Sequence, residues 1–409
     1  MRRVVITGIG ALSPLGNTFV ASWEAAKAGL SGIAPITRFD ASHIPWKVAG
    51  ELKGFDASLF LGRKETARIA RFVQYAVAAS VMAVQDAGFS AGDAALDPAL
   101  SLGGVIIGSS RGAIEALDLA IRENESRGRR MSAYLMPSTT IGTAPSYVAQ
   151  KLGIKGYCLG ISNACASGAN AIGEAYKLIK NGFKGPVIAG GTEAPICRVC
   201  VEGFGASGVL SCRADASASR PFERLRDGFV LAEGACVMVL EEDKSALQRG
   251  AHIYGEIVGY GNTVDAFHQT RPDRDGEMRA MRAAMEEAGL SAEDMESVSA
   301  HGTSTRLGDK TEAAAITGIL GKKASEVPVI ALKSMTGHML AASGAIEIAY
   351  AVMSVREGVV LPTINLLEKD PDCALNLFKE TKGKTVRTAL SNSFGFGGVN
   401  AVLVLGRYS

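Results

Sequence analysis

Two rhythms of apolar residues alternate along the chain. Short unbroken apolar runs bounded by glycine, VVITGIG (4–10), GGVIIGSS (103–110) and GPVIAGG (185–191), have the length and β-branched content of buried strands. Between them, in stretches such as 64–87 and 166–181, apolar residues recur every three or four positions, as one face of a helix requires. In the second stretch Ala169, Ile172, Tyr176 and Ile179 mark that face. The order predicts a layered α/β architecture. DGFVLAEGACVMVLEE (227–242) reads as two strands around a turn, and Lys244 to Gly250 as a short helical linker.

From IYGEIVGYGNT (253–263) the plan starts again with strand, helix RAMRAAMEEAGL, strand SVSAHGT, helix, strand VIALKS, a long helix and TALSNSFGFGGVNAVLVLG. ASGA recurs at 166–169 and 342–345, each time leading into a long helix, and VMVLE at 237 answers VLVLG at 402. Shared order predicts a duplicated fold with halves 1–250 and 251–409. The two ASGA helices, both largely apolar, are expected to lie buried between the sheets.

Composition narrows the function classes. With 409 residues, 47% of them hydrophobic, the chain can bury a large core. Lys and Arg total 43 against 41 acids, a formal charge of +2, so net charge gives no basis for bulk nucleic-acid or membrane binding. The opening MRRVVITGIGALSPLG carries two arginines, but glycines and a proline interrupt its apolar run, which reads as a first strand rather than a leader. Residues 339–353 contain Ser343 and Glu347 and are too few to span a bilayer. A cytoplasmic location is expected. Seven irregularly spaced cysteines suit reduced thiols, and the isolated Cys197–Cys200 CxxC has neither a second pair nor a nearby histidine, so no metal site is expected.

One cysteine stands apart. Cys165 lies among small residues at the start of a helical pattern, where unpaired N–H groups and the helix dipole would lower a thiol's pKa. A buried small hydrophobe is the competing reading. His301 in SAHGTSTRLGD and His338 in LKSMTGHMLAASGAIE are two of only five histidines. Two neutral imidazoles can each present an N–H to a developing oxygen, and FGFGG (394–398) can offer backbone donors. Lys333 finds a matching acid in Glu347 or Glu312, a pair that could equally be structural.

ACASG, HGTSTRLGD, KSMTGH and NSFGFGG, in that order, resemble the motifs of the β-ketoacyl-acyl carrier protein synthases, specifically the elongating type II enzymes of fatty acid synthesis. The resemblance extends from VVITGIGALSPLGN through RPFERLRDGFVLAEGA to SNSFGFGGVNA. It implies a thiolase-like fold of α-β-α-β-α layers, a homodimer, and decarboxylative condensation of an acyl group held on Cys165 with malonyl-acyl carrier protein. The N–H groups of Cys165 and Phe396 would form the oxyanion hole, and His301 and His338 would stabilise the enolate. Lys333, with Glu312 and Glu347, would set their electrostatic environment. Phe396 would be the acyl gate with Phe394 on the same turn, Phe229 would pack near the malonyl carboxylate, and Thr270, Thr303 and Thr305 would line the tunnel. No cofactor is implied, because phosphopantetheine arrives on the carrier protein. That acidic partner calls for a basic docking patch, for which Arg63, Lys64, Arg68 and Arg71 form one cluster and Arg127, Arg129 and Arg130 a second.

Some positions depart from the family pattern. Arg111 stands where elongating relatives place an apolar residue or glycine at the acyl-pocket floor, Asn163 where threonine is frequent, Arg306 where proline is frequent, and Gly208 where a docking arginine can occur. A buried guanidinium must pair, reach solvent or meet a polar acyl tail; turning into the dimer interface is the opposing expectation. Acyl length therefore stays open. A secondary-metabolite ketosynthase, a thiolase acting on coenzyme A thioesters, and a chain-length-factor-like subunit are the alternatives. The FGFGG region lacks the second cysteine a thiolase would use, and retention of Cys165, His301 and His338 speaks against a non-catalytic subunit.

Overall fold

Eleven strands form one continuous sheet in the structure, a computed structural model that describes residues 2–90 and 97–409. In the first half Cys158–Ile161, Gly104–Gly108 and Val187–Glu193 run parallel, followed by antiparallel Gly234–Glu242 and Val4–Leu12. In the second, Pro328–Ile330, Ser297–Ser299 and Thr388–Gly395 run parallel, followed by antiparallel Val399–Gly406 and Gly255–Val264. Leaving aside the two-residue edge strand Asn376–Leu377, and numbering the strands by appearance within each half, both sets read 3-2-4-5-1. The two sets join where Val4–Ile6 pairs with Gly255–Ile257.

Helices fill the remaining layers. Arg71–Asp86 and Thr143–Leu152 cover the outer face of the first set, and Arg274–Ala288, backed by Arg306–Leu320, covers the second. Ser167–Lys180 and Ala341–Glu357 lie between them in the central core, completing the α-β-α-β-α architecture. Every residue from Ala341 to Val355 is buried, as suits a helix that is apolar on all sides. The central helices meet backbone to backbone: a Cβ at Gly168 would come within 2.2 Å of the Ala341 carbonyl oxygen, so only glycine fits.

Two expected elements differ. The periodic stretch 64–87 is broken into Arg63–Thr66 and Arg71–Asp86, because the Gln74 side chain donates to the carbonyls of Thr66 and Ile69 in place of a continuing helical ladder. In 227–242 only Gly234–Glu242 is a strand. Phe229, Leu231 and Ala232 instead make single bridges to Leu210, His338 and Gly50, which draws Phe229 to the histidine. Among the described residues no helix is long and apolar enough to cross a membrane, and all seven cysteines are unbridged.

Candidate active site

A tight turn between strand Cys158–Ile161 and helix Ser167–Lys180 carries Cys165. Ala164 adopts φ +47°, a left-handed conformation that a non-glycine residue holds only when its surroundings impose it. Ser167 supplies the constraint. Its Oγ accepts from the Asn163 N–H at 2.8 Å and donates to the Ala164 carbonyl at 2.6 Å. Asn163 bonds Asn170, which donates to the Tyr260 hydroxyl.

The turn presents Cys165 Sγ at 3.1 Å from His338 Nε2. Opposite, the Phe394–Gly398 segment closes in: a Cβ at Gly395 would lie 3.2 Å from the Cys165 nitrogen, and the Phe396 N–H points at the sulfur. The expected lowering of the thiol's pKa is not the outcome. Burial pushes it up to about 11, outweighing Lys333, Arg111 and the Phe396 N–H, so the resting group is a thiol with an imidazole in reach.

Lys333 and Ser343 orient the two imidazoles. Lys333 Nζ donates to the His301 carbonyl at 2.5 Å and Glu347 at 2.6 Å, and lies 3.2 Å from His301 Nδ1. An ammonium can only donate, which assigns the His301 proton to Nε2. Ser343 Oγ, accepting from the Met339 N–H, sits 3.1 Å from His338 Nδ1 and can donate to it or accept from it. Burial, reinforced by Lys333, holds both histidines well below 6.5, so both are neutral. Their rings stand edge to face, centroids 5.3 Å apart.

Of the two acids expected beside Lys333, only Glu347 pairs with it. Burial pushes Glu347 up to about 7 against the pull of the lysine. Glu312 instead takes the backbone N–H groups of His301 and Gly302, each at 2.7 Å, and the Asn392 amide at 3.1 Å, which fixes the His301 main chain.

Cys165, His301 and His338 open on one cavity of about 560 Å³. Thr303 and Thr305 line it, their hydroxyls 3.0 Å apart, and Thr270 is exposed on its wall. Phe394 and Phe396 belong to the same wall, with the Phe394 ring 5.9 Å from that of His301. Phe229 stands edge-on to His338 at 5.2 Å and to Phe204 at 5.6 Å. Arg306 and Gly208 also line the space.

Arg111 is not among the lining residues. Its side chain is exposed, with Nε 3.2 Å from Ser110 Oγ and the guanidinium 5.5 Å above the Phe204 ring. Its backbone N–H is held by Glu193, a fully buried carboxylate that also binds Ser109, the Ser110 N–H and, at 3.3 Å, the Ala341 N–H. Sequence reasoning missed Glu193 and Ser343. The signal for the first was a lone acid closing the apolar run VIAGGTE, and for the second the hydroxyl repeated in the two ASGA segments.

Among the basic residues, Arg68, Arg129 and Arg130 converge on a separate cavity of about 340 Å³, where Arg68 stacks 5.0 Å over Tyr134 and Arg129 pairs with Glu123. Arg63, Lys64 and Arg127 are exposed nearby in sequence. Arg71 is engaged elsewhere, bonded to Glu115 at 2.7 Å and near Glu233 at 3.9 Å.

Known proteins resemble this chain in sequence and in fold. The family description "Beta-ketoacyl synthase, N-terminal domain" matches residues 1–246, and "Beta-ketoacyl synthase, C-terminal domain" matches 254–367. A 3-oxoacyl-[acyl-carrier-protein] synthase 2 of Staphylococcus aureus strain N315 is 44% identical over 412 residues, covering 100% of this chain and 99% of that protein. Among solved structures, the ishigamide ketosynthase/chain length factor superposes with TM-score 0.93 at 34% identity, over 100% of both chains. A type II PKS acyl-carrier protein in complex with its ketosynthase, bound to the hexaketide, superposes with TM-score 0.88 at 32% identity over 100% of both chains.

Proposed function

Since the chain belongs to the β-ketoacyl synthase family, we propose that it condenses an acyl group with malonyl-acyl carrier protein in fatty acid chain elongation. The observation that carries this reading is the 3.1 Å approach of Cys165 Sγ to His338 Nε2, with His301 beside it in the same cavity.

In the first half-reaction Cys165 attacks the thioester carbonyl of an acyl-carrier protein. The carbon–sulfur bond to the arm breaks and the thiol proton ends on the departing arm sulfur, while neutral His338 keeps its own proton on Nε2, facing the cavity. The N–H groups of Cys165 and Phe396 hold the oxyanion. Malonyl-carrier protein then binds with its thioester oxygen between His301 and His338. Its bond to the carboxylate breaks, carbon dioxide leaves, and the electron pair is held as an enolate by two neutral N–H donors. Phe229, packed against His338, keeps water from the departing carboxylate. The carbanion attacks acyl-Cys165, the sulfur leaves as thiolate and takes a proton from solvent, and a β-ketoacyl product two carbons longer departs.

No resident cofactor is needed in this scheme. The phosphopantetheine arm enters past Thr270 to Thr303 and Thr305, and Phe396, with Phe394, acts as acyl gate. The carrier protein docks on Arg63, Lys64, Arg68, Arg127, Arg129 and Arg130; Arg71, half-buried between Glu115 and Glu233, is left out. We assign the halves as 1–250, carrying the nucleophile, and 251–409, carrying the histidines. The protein works in the cytoplasm as a homodimer, joined along Cys158–Ile161, a terminal strand of the sheet that exposes Cys158 and Leu159. Identity of 44% to the 3-oxoacyl synthase against 34% and 32% to the two ketosynthase structures above supports fatty acid elongation over secondary metabolism.

Intact mass after mixing with acyl-carrier proteins of graded chain length, then malonyl-carrier protein, tests the reading. An acyl adduct on the wild type is expected, absent in Cys165→Ala, and discharged as ketoacyl product. Loss of the nucleophile is expected to lower condensation on the order of 10⁶-fold. Native mass of the same samples reports the dimer. No adduct with any chain, or an equal adduct on Cys165→Ala, would overturn the proposal.

A further inference from the structure

The cavity wall holds an acid that the condensation does not use. Glu277, in the first turn of helix Arg274–Ala288, is 1% exposed, lines the same cavity as Cys165, and keeps its Oε2 buried without a hydrogen-bond partner. The acids around it are all satisfied. Glu312 has its three donors, Asp265 takes the Asn400 amide at 2.6 Å and the Asp273 N–H at 3.0 Å, and Asp273 caps the helix through the Gly276 N–H at 2.9 Å. The local N–H groups that could have paired with Glu277 are therefore taken. Burying a polar group without a partner is costly, so such a group in a cavity wall marks a place where something else binds.

Its charge state limits what that is. Burial, with Glu312, Asp265 and Asp273 nearby, pushes the Glu277 carboxyl well above the ordinary glutamate range, which favours its neutral form. A neutral carboxyl offers one O–H donor and acceptor oxygens at one site. Carboxylates of Asp265 and Glu312 beside it repel an anion. The complement is an uncharged group that both donates and accepts. Gln269, Thr270, Gly398 and Asn400 share this wall, so the group is part of whatever lies along the Phe394–Gly398 turn.

We propose that Glu277 is a substrate-binding residue that pairs with an uncharged hydroxyl or amide of the bound thioester. The proposal rests on the reading of this cavity as a thioester site. Two sources carry that chemistry: the amides of the phosphopantetheine arm, common to every substrate, and a hydroxyl on the acyl chain, present in some.

Steady-state condensation by wild type, Glu277→Gln and Glu277→Leu, each with saturated and hydroxylated acyl-carrier proteins of equal length, separates them. The leucine variant is expected to lose about tenfold or more in kcat/KM through KM, the scale of one lost hydrogen bond. The glutamine variant, which keeps a donor and an acceptor, is expected to retain most of it. The leucine variant's melting temperature is expected not to fall, because an unpaired buried polar group has been removed. Loss with all substrates identifies the arm, and loss confined to hydroxylated chains identifies the acyl group. Unchanged kcat/KM in the leucine variant, or equal loss in both variants with a lowered melting temperature, would overturn the proposal. Binding of an amide-linked hydroxyacyl-carrier protein analogue, which carries both the arm amides and the chain hydroxyl, to Cys165→Ala chains with and without Glu277→Leu keeps the test independent of turnover: tighter or equal binding by the leucine chain overturns it. Failure of wild type to condense any substrate would count against the proposed activity alone.

Discussion

Residues 162–169 and 338–345 are the same turn built twice. Aligned on ASGA, Ala164 faces Leu340 and Cys165 faces Ala341. Ala164 and Leu340, both non-glycine, adopt φ +47° and +45°. Ser167 accepts from the Asn163 N–H at 2.8 Å, and Ser343 accepts from the Met339 N–H at 2.8 Å. Backbone and hydroxyl are alike, but the chemistry is not. The first turn carries a thiol where the second has alanine, and the second carries His338 where the first has Ser162. The strained turn is thus a feature of the duplicated fold, and the reaction depends on which side chain each copy places on it.

The comparison breaks most severely at His338. His338→Ser copies the residue of the first turn and removes one of the two enolate donors, so condensation is expected to fall on the order of 10²–10³-fold in kcat. The same variant alters stability against pH. Because burial holds His338 well below 6.5, the unfolded chain binds more protons than the native one as pH falls through 6.5, and stability is lost on acidification. Denaturant titrations across that range are expected to show a shallower loss in His338→Ser, with His301 supplying the remainder.

The serines sharpen it. Ser343→Ala and Ser167→Ala remove equivalent hydroxyls and are each expected to cost about 1 kcal/mol of stability. Only Ser343 touches an imidazole, so only its loss is expected to reduce kcat, by about ten- to a hundredfold, the scale of losing a group that orients a catalytic ligand. Equal activity losses would erase the distinction. The smallest effect is expected from Ala341→Cys in a Cys165→Ala background. It places a thiol on the second turn, fully buried and facing no histidine of its own, so neither acylation nor alkylation should restore an adduct by mass.

The repeated turn was legible because ASGA is a local string, and the layered fold because strand and helix periods differ. Cys165, His301 and His338 could be singled out by residue type, and the cavity brings them together. What escaped the sequence depends on distance along the chain. Glu347 and Glu312 were equal candidates for Lys333, and only the packing of helix Ala341–Glu357 separates them. Arg71 read as a free cation because its partner Glu115 is 44 residues away. The thiol's pKa was misjudged because position at a helix start is visible in sequence, whereas the burial that outweighs it is not. Arg111 reads as a pocket-floor residue from its place in the motif order; in the structure its backbone N–H is held by Glu193 and its guanidinium lies over Phe204, contacts that no local string announces.

Gly168 gives the site an unusual kind of tolerance. Because the Ala341 carbonyl rests against it and against Gly191, where a Cβ would come within 2.4 Å, no side-chain layer separates the two central turns. The segments that carry Cys165 and His338, 173 positions apart, therefore meet backbone to backbone. A rotamer change or methyl loss in the surrounding core can soften the protein without lengthening the path between sulfur and imidazole. Mutational drift in the core is then free to alter lifetime before it alters turnover, whereas a single methyl group added at Gly168, which must push the Ala341 carbonyl away, is expected to lower both together.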